Sequence, residues 1–151
     1  MKKQLLTFNS RQTQKIAKEL IKDILKKKNN KKAFIIALEG NLGSGKTTFT
    51  QGIAKSLGIK EKILSPTFVI LKKFAICNSQ FKNFYHIDCY RIEKVTEILN
   101  LGFKKIISNP QNIVTIEWPN RIKKNIPKEV VWIKFSFIDE KTRKVVIKNG
   151  K

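Results

Sequence analysis

One short stretch of this chain has the residue types and the spacing of a phosphate-binding loop. Gly40, Gly45, Lys46 and Thr47 fill the four fixed positions of the pattern G-x-x-x-x-G-K-[ST]. Glycines let the backbone bend into a concave ring of N–H groups with no side chain in the way. The lysine of such a loop reaches the β- and γ-phosphates, and the threonine hydroxyl binds Mg²⁺. The stretch therefore predicts a site for a nucleoside triphosphate and Mg²⁺.

The residues on either side of this loop have the patterns that such a loop requires. Residues 33–39 form a nearly continuous apolar run, which is typical of a strand buried on both faces. Residues 47–57 carry apolar residues on one helical face, and Gly58 follows as a helix stop. We expect Lys46 to be exposed. The candidate nucleotide-binding residues of the loop are Asn41, Leu42, Gly43, Ser44, Gly45, Lys46, Thr47 and Thr48.

A phosphate loop needs acidic partners for magnesium and for the attacking water. Glu117 follows the apolar run 113–116, and Asp88 follows the run 84–87. Open α/β sheets bind their ligands at the carboxyl ends of the strands, where these acids would lie. Either one could instead be a surface carboxylate. Since the chain has only 11 acidic residues, two of them in this position favour a catalytic role.

The remaining hydrophobic patterns predict the elements around the loop. A short edge strand at 4–8 precedes an amphipathic helix that is capped by Ser10 and has its apolar face within 16–25. Strands are predicted at 68–71 and 81–90, with an antiparallel connection between them. Later elements are two short helices at 97–101 and 104–108, a buried strand at 113–116 that Trp118-Pro119 ends, and final strands at 130–138 and 143–147.

These elements predict one three-layer α/β domain of the P-loop type over residues 1–151. Its sheet is expected to be mixed and mainly parallel, with a C-terminal β-hairpin. The sequence contains no apolar run of about 18 residues, so we expect no membrane span. The two cysteines, Cys77 and Cys89, have no metal-ligand spacing, which favours a cytoplasmic protein with reduced thiols.

The chain has a formal net charge of +21, with 32 basic and 11 acidic side chains. Counterion release would favour an RNA or DNA partner for such a surface. The alternative is compositional drift, because lysine, asparagine and isoleucine abound and all three have AT-rich codons. We favour drift, since the basic residues are not confined to one segment and aromatic residues are not interleaved with them. The lysine-rich run 26–32 is expected to be a solvated connector.

Three further motifs follow the loop in a fixed order: 65–68 (Ser-Pro-Thr-Phe), 86–91 (His-Ile-Asp-Cys-Tyr-Arg) and 116–119 (Ile-Glu-Trp-Pro). Together with the loop they resemble the bacterial TsaE family, over a region from about Ser10 to Trp118. Each of the three would be weak alone, whereas the four together are highly specific.

The resemblance implies a fold and a function. Members are single-domain phosphate-loop ATPases with a mixed sheet and feeble hydrolysis of their own. They bind the TsaB–TsaD complex, which transfers threonylcarbamoyl to adenosine 37 of tRNAs that read codons beginning with A. ATP hydrolysis is thought to reset that complex between turnovers. Direct contact between tRNA and this subunit is left open.

The resemblance also implies roles for individual residues. Lys46, Asp88 and Glu117 are the expected catalytic residues, and Thr47 and Glu117 are the expected Mg²⁺ ligands. Thr67 would sense the γ-phosphate, and Trp118 would border the nucleotide pocket. The matching His86, Tyr90 and Arg91 could serve packing or partner contact. The chain departs from the family at Asn41, where aspartate is more usual, with little effect expected at a position that contributes backbone N–H.

Two other functions compete with this interpretation. A small-molecule kinase uses the same loop, but it usually adds an arginine-bearing lid and an acceptor-binding insert, for which this chain has no room. A non-catalytic RNA-binding module is suggested by the charge alone.

Overall fold

A computed structural model describes residues 2–27, 30–65, 69–78 and 80–150. Seven strands form one sheet in the order β1-β7-β6-β2-β5-β4-β3. The strands are β1 (Lys2–Thr7), β2 (Phe34–Glu39), β3 (Leu71–Ala75), β4 (Asn83–Asp88), β5 (Asn112–Glu117), β6 (Val131–Phe137) and β7 (Arg143–Asn149).

The centre of the sheet is parallel and its two edges are antiparallel. Strands β6, β2, β5 and β4 run side by side in the same direction, whereas β7 and β3 run against their neighbours. β1 pairs antiparallel with β7 at one edge. The four parallel strands therefore end together at one side of the sheet, which we call the carboxyl end. The opposite side, where these strands begin, is the amino end.

Helices cover both faces of the sheet, which gives the predicted three layers. On one face α1 (Ser10–Lys26) and α2 (Lys46–Ser56) pack their apolar sides against β2, β6 and β7. On the other face lie two short helices, α3 (Thr96–Leu99) and α4 (Phe103–Ser108), and a kinked 3-10 segment, Pro119–Asn125. The predicted fold class and the C-terminal hairpin β6–β7 are confirmed. In the described part of the chain, no helix is long and apolar enough to cross a membrane.

Most predicted boundaries differ from the structure by one or a few residues; β4, for example, was predicted over 81–90 and runs over Asn83–Asp88. Two differences have an identifiable cause. The cap of α1 is Asn9, whose side-chain oxygen accepts a hydrogen bond from the Gln12 N–H at 2.9 Å, so the prediction of Ser10 was wrong by one residue. Both residue types are good caps, and the extended backbone of Asn9 decides between them. The third strand was predicted over 68–71, of which residue 68 lies outside the described residues; the strand runs over Leu71–Ala75, where the chain pairs with β4.

Gly52 lies inside α2 at the point where this helix crosses α1. A β-carbon built there would come within 2.8 Å of the Gln14 Cα and 2.9 Å of the Ala17 Cβ. Real β-carbons do not approach other carbons so closely, so glycine permits the contact between the two helices. Since α2 begins with Lys46, this contact also helps to fix the position of the phosphate loop on the sheet.

We predict that Gly52→Ala destabilises the protein. Alanine favours an isolated helix by about 1 kcal/mol over glycine, but overpacking a core contact costs roughly 1–3 kcal/mol. The clash is with main-chain atoms that cannot move aside alone, so we expect a net loss of about 1 kcal/mol in the free energy of unfolding, measured by urea denaturation. Lys55→Ala, at an exposed position of the same helix, is the control and should change stability by less than about 0.5 kcal/mol. Equal stability of Gly52→Ala and the wild type would contradict the packing argument.

Candidate nucleotide-binding site

The loop between β2 and α2 bends where its glycines lie. Gly43 and Gly45 have φ values of 73° and 111°, in the left-handed region that suits glycine. Glycine is needed at position 40 because of a close approach: a β-carbon there would come within 2.8 Å of the Phe135 carbonyl oxygen on β6. The loop therefore lies against the neighbouring strand and leads into the N-terminus of α2, where the first N–H groups of a helix have no partner within it. That arrangement attracts anions.

Lys46 is buried, with 5% of its surface exposed, so the expectation that it is exposed was wrong. Its Nζ donates to the carbonyl oxygens of Gly40 at 2.6 Å and Asn41 at 2.9 Å. The Trp118 ring covers it, with the ring centroid 4.5 Å from Nζ. Burial lowers the pKa of Lys46, while the negative charges of Glu117 and Asp88 act in the opposite direction. A flexible side chain can thus fold onto its own loop, which the sequence does not reveal.

Glu117 ends β5 and is almost fully buried, at 2% exposure. Its Oε1 accepts a hydrogen bond from the Thr47 hydroxyl at 3.2 Å. The same oxygen lies 3.3 Å from Nε2 of His86, which is 1% exposed. β5 pairs with both β2 and β4, and that pairing brings the threonine of α2 and the histidine of β4 to one carboxylate. The structure thus brings together the two residues predicted to bind Mg²⁺.

Asp88 ends β4 directly beside Glu117 in the register of the sheet. Its Oδ2 accepts a hydrogen bond from the Ser65 hydroxyl at 2.9 Å, and its Oδ1 accepts one from the Tyr90 N–H at 3.0 Å. Asp88 therefore holds two segments at the rim of the site. Unlike Glu117 it is partly exposed, so its carboxylate remains within reach of solvent.

Trp118 adopts a left-handed backbone conformation, with φ 55° and ψ 50°. This conformation is unusual for a bulky residue and costs on the order of 1–3 kcal/mol. It turns the chain sharply after β5 and places the indole over Lys46 and beside Tyr90, whose ring centroid is 5.0 Å away. Trp118 does end the strand, as predicted, and it also encloses the loop lysine.

These residues enclose a cleft of about 200 Å³ at the carboxyl end of the sheet. Its lining consists of Leu42, Gly43, Gly45, Lys46, Thr47, Thr48, Ser65, Asp88, Tyr90, Glu117 and Trp118. Two predicted loop residues are not in that lining. Asn41 contributes its carbonyl oxygen to Lys46, and Ser44 is buried at 1% exposure behind the loop. Thr67 lies outside the described residues.

Sequence reasoning left three neighbours of the site without a role. Ser65 holds Asp88, Tyr90 packs on Trp118, and His86 contacts Glu117. The spacing of His86 and Asp88 contained a usable signal, because residues two apart on a strand share a face. The contact between His86 and Glu117 depends on the pairing of β4 with β5, which a single sequence does not give.

The donor set fits a magnesium ion. Mg²⁺ is usually bound by one or two protein oxygens, with waters and substrate phosphates completing its shell. The Thr47 hydroxyl and the Glu117 carboxylate, 3.2 Å apart, are such a pair. No group of three or more His, Cys, Asp or Glu side chains that could hold a metal occurs in the described ranges, so these residues offer no cage made of protein ligands alone.

Comparisons with known proteins agree with this geometry. A family model described as threonylcarbamoyl adenosine biosynthesis protein TsaE matches residues 7–145. The chain belongs to the TsaE family. A TsaE of Rickettsia felis is 34% identical over 140 residues, which cover 92% of this chain and 75% of that protein. Another from Bacillus subtilis is 40% identical over 95 residues, covering 63% of this chain and 56% of the relative. Both carry the name tRNA threonylcarbamoyladenosine biosynthesis protein TsaE.

A solved structure has the same fold as this TsaE family member. The crystal structure of Bacillus subtilis YdiB superposes with a TM-score of 0.71 at 28% identity, covering 100% of this chain and 87% of that one. The resemblance to the TsaE family and the P-loop fold are therefore confirmed. The individual roles of the site residues remain predictions.

The two cysteines of this TsaE family member should differ sharply in reactivity. Cys89, between Asp88 and Tyr90, is fully buried, and burial together with the charges of Asp88 and Glu117 raises its pKa to about 12. The thiolate is the reactive form, so Cys89 should resist alkylation even at pH 9, whereas the exposed Cys77 reacts. We expect iodoacetamide to label one thiol in the native protein and two in urea, read by peptide mass spectrometry. Rapid labelling of Cys89 in the folded protein would mean that this end of β4 opens.

Proposed function

We propose that this chain is a Mg²⁺-dependent ATPase that supports a TsaB–TsaD complex in the threonylcarbamoylation of adenosine 37 of tRNA. The contact between Thr47 and Glu117 carries the ATPase part of the proposal. It brings the hydroxyl of a phosphate loop to a buried carboxylate at the carboxyl end of a parallel sheet, where P-loop enzymes bind Mg²⁺ and nucleotide. Membership of the TsaE family supports the pathway and the partners.

Each residue of the site has a chemical task in this proposal. The loop N–H groups and the N-terminus of α2 bind phosphate oxygens. Lys46 adds a positive charge, which the surrounding protein strengthens by excluding water. Thr47 and Glu117 hold Mg²⁺, which when bound neutralises charge on the phosphate oxygens. Asp88 accepts a hydrogen bond from the attacking water at its carboxylate, the less buried of the two acids.

The carboxyl end also offers a surface for a protein partner. Large apolar side chains are exposed around the loop, among them Leu42 at 63% and Phe137 at 46%. Phe137 lies against the loop itself, because a β-carbon on Gly43 would be 3.9 Å from its ring. Apolar patches of this kind mark interaction sites. A partner seated on Leu42 and Phe137 would contact the nucleotide loop directly, which connects docking with hydrolysis.

We predict that Lys46→Ala nearly abolishes ATP hydrolysis, by on the order of 10²-fold or more, because the charge directed at the phosphates is removed. Phosphate release would be measured with and without TsaB–TsaD. Since Lys46 also holds the carbonyls of Gly40 and Asn41, a thermal melt must show that the variant folds. Lys55→Ala, exposed on the same helix, is the matched control and should keep full activity.

The same assay separates the competing functions. Turnover by a folded Lys46→Ala protein at the wild-type rate would refute the ATPase proposal. A phosphorylated small molecule as product would indicate a kinase instead. Binding of RNA without any turnover would favour the non-catalytic module.

The two acids should differ in their defects. Glu117→Ala should weaken Mg-ATP binding and hydrolysis together, with partial rescue at high magnesium, because Glu117 is the acid that contacts Thr47. Asp88→Ala should leave Mg-ATP affinity largely intact and remove turnover, including the part stimulated by TsaB–TsaD. Affinity would be measured by titration calorimetry and turnover by phosphate release. The opposite pattern, with magnesium-dependent binding lost only in Asp88→Ala, would reverse the two roles and leave the ATPase proposal standing.

A further inference from the structure

The amino end of the sheet, opposite the nucleotide cleft, carries a second cleft of about 610 Å³. It lies where α1 leads into β2 and where the 3-10 segment leads into β6. Four exposed lysines line it, Lys27, Lys31, Lys32 and Lys128, and the single acid in the lining is Glu129. Nothing in the proposed ATPase chemistry uses this cleft. We call it the lysine cleft.

Several acidic side chains of the protein are gathered at the carboxyl end of the sheet. At the carboxyl end, Glu39, Asp88 and Glu117 terminate β2, β4 and β5. Asp139 and Glu140 lie in the turn after β6 at the same end. The lysine cleft lies at the other end, where its lining contains four lysines and one acid, Glu129. Dispersal of lysines along the sequence therefore does not mean that charge is evenly distributed in space.

The walls of the lysine cleft also contain polar and aromatic groups suited to a ligand. The Asn30 side-chain nitrogen is buried there and has no hydrogen-bond partner among the described residues. Buried donors are nearly always satisfied, so this N–H favours a bound acceptor oxygen. Phe34 lines the same cleft, with Lys27 Nζ 5.9 Å from its ring centroid.

We propose that the lysine cleft binds the phosphodiester backbone of tRNA. Lysines on a concave surface neutralise backbone phosphates and release counterions, which supplies most of the affinity for nucleic acids. An anionic membrane is a poorer fit, because surface-binding segments combine basic with exposed apolar residues. None of the large apolar side chains exposed in the described part of the chain lines this cleft. The choice of tRNA among polyanions rests on the proposed function, whereas the binding of a phosphate backbone does not.

The test compares two triple variants that remove the same number of charges. The first is Lys31→Gln/Lys32→Gln/Lys128→Gln in the lysine cleft. The matched control is Lys18→Gln/Lys104→Gln/Lys123→Gln, three exposed lysines on α1, α4 and the 3-10 segment that do not line it. Binding of fluorescent tRNA to the full chain would be followed by anisotropy at salt concentrations from about 50 to 300 mM. A DNA duplex of similar length is the second ligand.

We expect the cleft variant to lose at least about tenfold in tRNA affinity at low salt, with the slope of log K against log salt reduced by about 2, since each lost contact removes roughly 0.7–0.9. The control variant should keep the wild-type slope. If both variants weaken tRNA binding equally, or if neither weakens it, the proposal that the lysine cleft binds tRNA is overturned. Compositional drift would then explain the lysines. Equal loss of tRNA and DNA duplex binding, with equal starting affinities, would overturn the choice of tRNA.

Hydrolysis of ATP separates this inference from the proposed function. The cleft variant should hydrolyse ATP at the wild-type rate, because the lysine cleft and the phosphate loop lie at opposite ends of the sheet. If the wild-type protein binds tRNA through the lysine cleft but does not hydrolyse ATP, the ATPase proposal is refuted and the tRNA-binding proposal stands. If it hydrolyses ATP but its tRNA binding does not depend on the cleft, the tRNA-binding proposal is refuted and the ATPase proposal stands.

Discussion

The site depends on one buried carboxylate, that of Glu117, and on the groups that contact it. Burying a polar side chain costs free energy unless hydrogen bonds replace those it made with water. Here the Thr47 hydroxyl and the His86 ring contact its Oε1, and the buried ammonium of Lys46 lies close enough for their charges to interact. Thr47 and Lys46 come from α2, His86 from β4 and Glu117 itself from β5. The pairing of β4, β5 and β2 and the packing of α2 on the sheet are therefore all needed before these contacts can form.

The same requirement explains the local distortions around the loop. Trp118 has a costly left-handed backbone, yet this turn brings its indole over Lys46 and shields the ammonium from water. Gly40 lets the loop lie against β6, and Gly52 lets α2 lie against α1. Close packing of the loop before α2 and of the middle of α2 leaves the first turn of this helix little freedom to move. Groups that are positioned before the ligand arrives need no reorganisation during the reaction.

Local patterns predicted the parts of this fold that depend on neighbouring residues. The loop, its flanking strand and helix, and the strand-end acids Asp88 and Glu117 all follow from spacing along the chain. The features that were missed depend on distant contacts: the burial of Lys46 by its own loop and Trp118, the close approach of Gly52 to α1, and the contact of His86 with Glu117. The cap of α1 was predicted one residue too late, because Asn9 and Ser10 are neighbours and both residue types are good helix caps.

The positions of charged residues in space are the property that the sequence alone predicted least well. Along the chain the lysines look uniform, because they occur in nearly every segment and outnumber the acids in most of them. Folding places Asp88 and Glu117 at one end of the sheet, since strands that run in parallel end together. The connections that enter β2 and β6 must then lie at the other end, and in this chain they are rich in lysine. Parallel topology thus converts an evenly basic sequence into a molecule with two chemically different ends. One end combines acids, apolar side chains and a phosphate loop, and the other presents lysines around an unsatisfied buried amide.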